Sequence, residues 1–132
     1  MLRDERLVKV SQPEQKPLNP IEGPVWVWQH TLHVDGTRTP PAEAGHYTLR
    51  LGPDGQLDIR ADCNRAGGHY TVERSRLTLS VTHSTMAACP SESLDRQFLA
   101  DIASVSTWRL EGGSLRVDLT GGGVMVFTGV SR

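Results

Sequence analysis

Two cysteines, Cys63 and Cys89, enclose two histidines in the order Cys63-x5-His69-x13-His83-x5-Cys89. Two thiolates and two imidazoles complete a zinc tetrahedron, so the set has the chemistry of a metal site. The spacing argues against it, because zinc ligands usually pair at about two to four intervening residues. The same cysteines read as two buried thiols or as a bridged pair, and residue type alone leaves the three states open. For nucleophilic catalysis the candidates are His83-Ser84-Thr85 and Cys89 with a nearby histidine. A nucleophile needs a base within hydrogen-bond reach and a third group orienting that base, which adjacency in sequence does not supply. The sequence contains neither Gly-x-Ser-x-Gly nor His-Glu-x-x-His, so no residue is assigned a catalytic role and no metal or cofactor is expected. His30, His33 and Asp35 resemble a ligand set on paper, but positions i and i+3 of a strand face opposite sides, which makes them surface residues.

The elements that position these groups are mostly strands. Tyr47, Leu49 and Leu51 alternate with polar residues, as do Leu57, Ile59 and Ala61, and later Leu77, Leu79 and Val81; a period of two puts each trio on one face. Gly52-Pro53-Asp54-Gly55 separates the first two trios and reads as a hairpin turn, with proline presetting φ and glycine taking a positive one. Trp108 and Leu110, then Leu115, Val117 and Leu119, then Val124 to Phe127 form a meander joined by glycine turns. The triplet Gly121-Gly122-Gly123 lacks the helix that a phosphate loop needs after it, since a β stretch follows. Trp26 and Trp28 share a strand face with His30 and read as packing residues. Asn64 with Gly67-Gly68 reads as a turn, because asparagine tolerates the left-handed region and glycine adopts it freely. One segment departs from the β pattern: over Ser91 to Ala103, Leu94, Phe98 and Ile102 recur every fourth residue with Leu99 beside them, the apolar stripe of a helix. Pro90 suits its first turn, and Glu92 and Asp95 suit its positive end.

The 132 residues support one domain, with 37% apolar and 22% charged residues, the composition of an ordinary globular protein. Fourteen basic residues against fifteen acidic ones leave a net charge of −1 without a basic stripe, which excludes a nucleic-acid footprint. No apolar run approaches the roughly eighteen residues of a membrane helix. Residues 1–22 are polar, carry Pro13, Pro17 and Pro20, and read as a flexible arm ahead of a domain over 23–132. That arm shows no apolar core of a signal and no cysteine for lipid. The expected fold is α+β, mainly antiparallel β, with about eight strands forming a curled sheet or barrel and one helix inserted before the last three strands.

Cys63-Asn64 with Gly67 after a strand, and Thr85-Met86-Ala87-Ala88-Cys89 before the helix, resemble the paired signature of the META/HslJ-like family. Trp28, Tyr47, Gly55 and the late meander also fall on that family's pattern, over residues 24 to 128. The resemblance implies small bacterial secreted proteins or lipoproteins, among them a heat-shock protein linked to novobiocin resistance, with no catalytic activity established for the module. It therefore implies a periplasmic or outer-membrane protein whose export signal, and any lipid anchor, belong to a precursor, the alternative being a cytoplasmic one. Export to an oxidising compartment favours a Cys63–Cys89 disulfide over free thiols. The function it implies is a monomeric, non-catalytic envelope module that acts in stress tolerance or envelope maintenance by contacting a protein or envelope component. A small-ligand barrel carrier and an uncharacterised hydrolase stand as alternatives.

Overall fold

The computed structural model describes residues 20–41 and 43–130. Nine strands and one α-helix are present among them: β1 Val25–Leu32, β2 Arg38–Thr39, β3 Tyr47–Leu51, β4 Gln56–Ala61, β5 Asn64–Glu73, β6 Arg76–Ser84, α1 Asp95–Ile102, β7 Val105–Glu111, β8 Ser114–Leu119 and β9 Val124–Val130. Every pairing between strands is antiparallel, each strand lying beside its neighbour in the chain from β3 to β9, and β9 also pairs along β1 from Val124↔Leu32 to Val130↔Val25. With β1 in turn paired to β3, eight strands close on themselves, and the two-residue β2 lies beside the end of β1. Closure removes the edges through which open sheets aggregate. No helix among the described residues is long and apolar enough to cross a membrane.

Alternation builds the interior. Tyr47, Leu49, Leu51, Leu57, Ile59, Ala61, Leu77 and Leu79 are all buried, together with Leu115, Val117, Met125 and Phe127 from the meander. The hairpin at 52–55 forms as read, with Asp54 at φ 58° and Gly55 at φ 79°. The loop Gly121–Gly123 passes directly into β9, so it is a strand connection. The helix is shorter than its apolar stripe: it begins at Asp95, not Ser91, and Pro90 and Glu92 lie in a turn closed by Ser93 N donating to Pro90 O at 2.9 Å. Phe98 and Ile102 are fully buried. Phe98 packs against Trp28, Tyr47 and Phe127 at ring-centroid distances of 5.2, 5.4 and 6.3 Å. Because β6 ends and β7 begins at the same end of an antiparallel barrel, the helix that joins them caps that end and drives its aromatic ring into the core.

Three further sequence readings change. Trp26 and Trp28 are buried, but His30 does not share their face: Val126 pairs with His30 and Phe127 with Trp28, so Gln29 is the extra residue of a bulge and Thr31 turns inward instead. There its hydroxyl accepts the Trp28 indole N–H at 3.0 Å. Asn64 is not a turn residue; the positive φ of the β4–β5 turn belongs to Asp62, at 59°, and Asn64 opens β5. Of the proposed arm, residues 1–19 lie outside the described residues, whereas Ile21 is fully buried and accepts the Trp26 indole N–H at 2.9 Å, and Glu22 bridges to Leu51.

Gly67 and Gly68 lie in β5 at a second bulge, where Gly67 faces His83, Gly68 faces Val81 and Thr82 is the extra residue. A Cβ on Gly68 would run into the Ser80 carbonyl oxygen, whereas one on Gly121 would meet nothing. Gly68→Ala is expected to lose about 2–3 kcal/mol or more as the strands are forced apart, and Gly121→Ala to stay within about 0.5 kcal/mol of the parent. Urea denaturation of the two variants checks the contrast.

Candidate functional site

Strand β4 turns through Asp62 into Cys63 and Asn64, and β6 runs out at Ser84 into a linker, residues 85–94, that is exposed over Thr85–Ala88. These two places meet. Cys63 and Cys89 are joined by a disulfide spanning 26 residues of sequence, a loop whose closure stabilises the fold by about 3.5 kcal/mol in the chain-entropy model. Beside it, the carboxamide of buried Asn64 meets the linker and the first residue of the helix. Its Oδ1 accepts the Thr85 hydroxyl and the Ala87 N–H, both at 2.7 Å. Its Nδ2 donates to Ala87 O at 3.0 Å and to Asp95 Oδ2 at 3.1 Å, and lies 3.4 Å from Cys89 Sγ. Thr85 adds two strand-like bonds to Arg65: its N–H donates to Arg65 O at 2.8 Å, and its hydroxyl accepts Arg65 N–H at 2.9 Å.

Residues that sequence reasoning did not assign to this place complete it. The Tyr47 hydroxyl accepts Leu94 N–H at 2.9 Å and Ser93 Oγ accepts Asp95 N–H at 3.1 Å, so two amide donors at the start of the helix are satisfied by side chains. The carboxyl of Asp62 is held below the usual aspartate range chiefly by a hydrogen bond from Ser93, and further by His46, 3.2 Å away. Asp101, at the far end of α1, moves the other way because burial disfavours its charge. Tyr47 was legible as a core residue and a position of the family pattern but not as a cap of the helix, since alternation reports which face a side chain occupies and not what its hydroxyl reaches.

Of the signature residues, Cys63, Asn64, Thr85 and Cys89 converge in this clasp. Gly67 lies two pleats along β5, and Met86 is 89% exposed. The bridge occupies both sulfurs, so they do not act as thiolate ligands with His69 and His83. Among the described residues no three His, Cys, Asp or Glu side chains gather as a metal site. The candidate nucleophile group is dispersed: His83 Nδ1 contacts the Thr82 hydroxyl at 3.1 Å, Ser84 Oγ lies 3.9 Å from Met86 Sδ, and Thr85 is committed to Asn64. His33 Nε2 lies 2.6 Å from Thr39 Oγ1, and Asp35 closes a turn by accepting the Thr37 N–H and hydroxyl at 2.9 and 2.7 Å.

A family model described as the META domain matches residues 20–131. A protein from Burkholderia xenovorans solved by NMR superposes with a TM-score of 0.70 at 19% identity, covering 92% of this chain and 99% of its own. A crystal structure of a DUF4847 family protein from Bacteroides vulgatus superposes with a TM-score of 0.65 at 10% identity, covering 86% and 96%. At such identities the likeness is one of fold. A search of curated proteins finds no match.

The clasp makes two predictions. Asn64→Ala leaves its linker partners to water and is expected to lose about 1–3 kcal/mol. Asn64→Asp sets a second carboxylate against Asp95 and is expected to be the less stable of the two at pH 7, recovering part of its loss on acidification as one carboxyl protonates; urea midpoints at pH 7 and pH 4.5 check both. The lowered Asp62 carboxyl contributes stability that is present above its unfolded pKa of about 3.9 and is lost as pH falls through its folded value. The raised Asp101 has the opposite sign and contributes stability that declines as pH rises through that range. Thermal midpoints between pH 2.5 and 6 should therefore show a shallower acid limb for Asp62→Asn and a steeper one for Asp101→Asn.

Proposed function

The chain belongs to the META domain family, and from that premise we propose that it serves as a non-catalytic module of the bacterial cell envelope, supporting stress tolerance or envelope maintenance through contacts with a protein or an envelope component. The observation that carries this reading is the inward commitment of the signature: the Asn64 carboxamide, the Thr85 hydroxyl and both cysteine sulfurs bond to one another or to the linker. A reaction centre would hold such groups toward a substrate. The bridge supports a place in the periplasm or at the outer membrane, because Cys63 is exposed and an exposed disulfide is open to reduction in a thiol-rich cytosol. Closure of β9 on β1 supports a monomer, because no wall edge is left on that side for pairing between copies.

A carrier needs interior space of a few hundred Å3. Here the ring of Phe98 meets three other aromatic rings in the middle of the core, and nothing favours that reading. Two experiments test the envelope module. In fractionated cells of its native host the protein is expected in the periplasmic or outer-membrane fraction, and recovery from the cytosol alone overturns the placement. A panel of esters, peptides and glycosides is expected to show no turnover; steady turnover abolished by Ser84→Ala would replace the reading with a hydrolase.

A further inference from the structure

The outer wall formed by β3, β4 and β5 carries three arginines, Arg50, Arg60 and Arg65, none of which closes an ion pair among the described residues. Register places Thr48 beside Arg60 and Arg60 beside Arg65, with Arg50 beside Asp58 in the adjoining row. Residues directly opposite on one face have Cβ atoms about 4.5–5.5 Å apart, and like charges in that relation destabilise a sheet. The wall keeps this opposition, with the Asp58 carboxylate beside Arg50 and the Asp62 carboxylate beyond Arg60 as the compensating charges nearby. Among the described residues ion pairs form at His46, Arg109 and Arg116, and none of the three arginines takes part in one. Among the described residues Arg50 and Arg60 use only Nε, donating to Gly23 O at 3.3 Å and to Asp62 O at 3.2 Å. That bond fixes each stem while the two terminal nitrogens of each fork remain.

The three side chains line one depression of about 170 Å3, with Thr48 and Asp58 beside them. At Arg65 it continues into a second hollow of about 420 Å3 that reaches His83 and Ser84. Between them Gly67 lies beside Asp58 and His83 across the strands, and a Cβ there would stand 2.9 Å from His83 Nε2, so the missing side chain lets the imidazole lie against the wall. The charges facing this groove are Arg50, Arg60, Arg65 and Asp58, with titratable His83 at its far end. Asp62 lies beyond Arg60, and its carboxyl, held chiefly by Ser93 and further by His46, also feels the Arg60 charge.

We propose that this groove binds a phosphoryl group, with Arg50, Arg60 and Arg65 as its ligands. Three guanidiniums outweigh the two carboxylates near them, Asp58 and Asp62, and their donors exceed what the two oxygens of a carboxylate ligand accept. A phosphoryl group brings three oxygens and up to two negative charges, and guanidinium forks bind it bidentately. An anion seated between Arg60 and Arg65 turns their repulsion into attraction to a common partner. The remainder of the ligand lies along the hollow toward His83. A soluble phosphate compound and a phospholipid headgroup share this chemistry. The proposal supplies a contact surface for the envelope module and rests on that reading only for the origin of the ligand. Binding by the purified chain does not depend on compartment or turnover, so the two fail separately.

The test is an NMR titration of the full chain with inorganic phosphate, alongside co-sedimentation with phosphatidylglycerol and phosphatidylcholine vesicles. Saturable amide shifts confined to residues 48–67 and 82–85 are expected, weakened at least tenfold in Arg60→Gln and in Arg65→Gln and unchanged in Arg96→Gln on the helix. Arg65→Gln is also expected to melt no lower than the parent, since it relieves a like-charge contact; this separates lost binding from lost folding. Arginine-dependent sedimentation with phosphatidylglycerol but not phosphatidylcholine assigns the ligand to a headgroup. Phosphate binding without sedimentation assigns it to a soluble phosphate compound. Absence of saturation at tens of millimolar, shifts centred elsewhere, or equal weakening by Arg96→Gln overturns the proposal.

Discussion

Between β6 and β7 the barrel wall has a single register pair, Arg76↔Thr107, supplemented by Trp108 N–H and its indole N–H donating to Ser75 O and Arg74 O at 2.9 and 2.8 Å. Elsewhere neighbouring strands are held by longer ladders, and here the polypeptide that joins them must carry what the ladder does not. That polypeptide is the linker and helix, and its Thr85–Ala88 stretch is exposed throughout. Burial therefore holds this stretch weakly. The Asn64 carboxamide and the Cys63–Cys89 bridge supply the missing fixation, one by hydrogen bonds whose loss leaves polar groups unpaired, the other by restricting the unfolded chain.

Fixing the linker determines where the helix stands. Eight residues make a helix too short to persist in isolation. Its stability comes from the amides satisfied by Tyr47 and Ser93 and from Phe98 and Ile102 in the core. Tyr47 has both duties: its ring packs on Trp28 and Phe98 at 5.3 and 5.4 Å, and its hydroxyl meets the start of the helix. Wall, linker and helix are thus mutually dependent, and a change at Asn64 is transmitted to the aromatic centre through Asp95 and the first helical turn.

The barrel was largely legible because period-two alternation is a direct image of the pleat: the trios beginning at Tyr47, Leu57 and Leu77 all start on the buried side. The helix was legible from the spacing of Leu94, Phe98 and Ile102. Its starting point was not, because Pro90 and Glu92 are equally compatible with a first helical turn and with the tight turn they actually form. Bulges escaped for a related reason. A single inserted residue such as Gln29 reverses the face of everything beyond it, and nothing in the local sequence distinguishes His30-out, Thr31-in from the reverse. Asn64 was misread because its chemistry is shared between turns and long-range clasps, and only the proximity of the linker, 21 to 31 residues away in sequence, separates them. The arginine groove was invisible for the same reason: Arg50, Arg60 and Arg65 become neighbours only when register is known.

That contrast bears on what a family signature reports. Its convergent polar members here bond to one another and pin the linker to the barrel, and they would do so whatever the outer wall were to bind. Gly67 is the exception, since its missing side chain admits the bulge and the close approach of the His83 ring on the outer wall. The wall positions that flank it lie outside the signature and are under no constraint from closure, because an outward side chain on a strand can change without disturbing the ladder beneath it. Proteins sharing this barrel are therefore free to differ in what they contact while keeping the clasp intact. A positively charged wall that retains the opposition of Arg60 and Arg65 is the kind of local conflict that stability alone does not explain, and such conflicts concentrate where a protein meets something else.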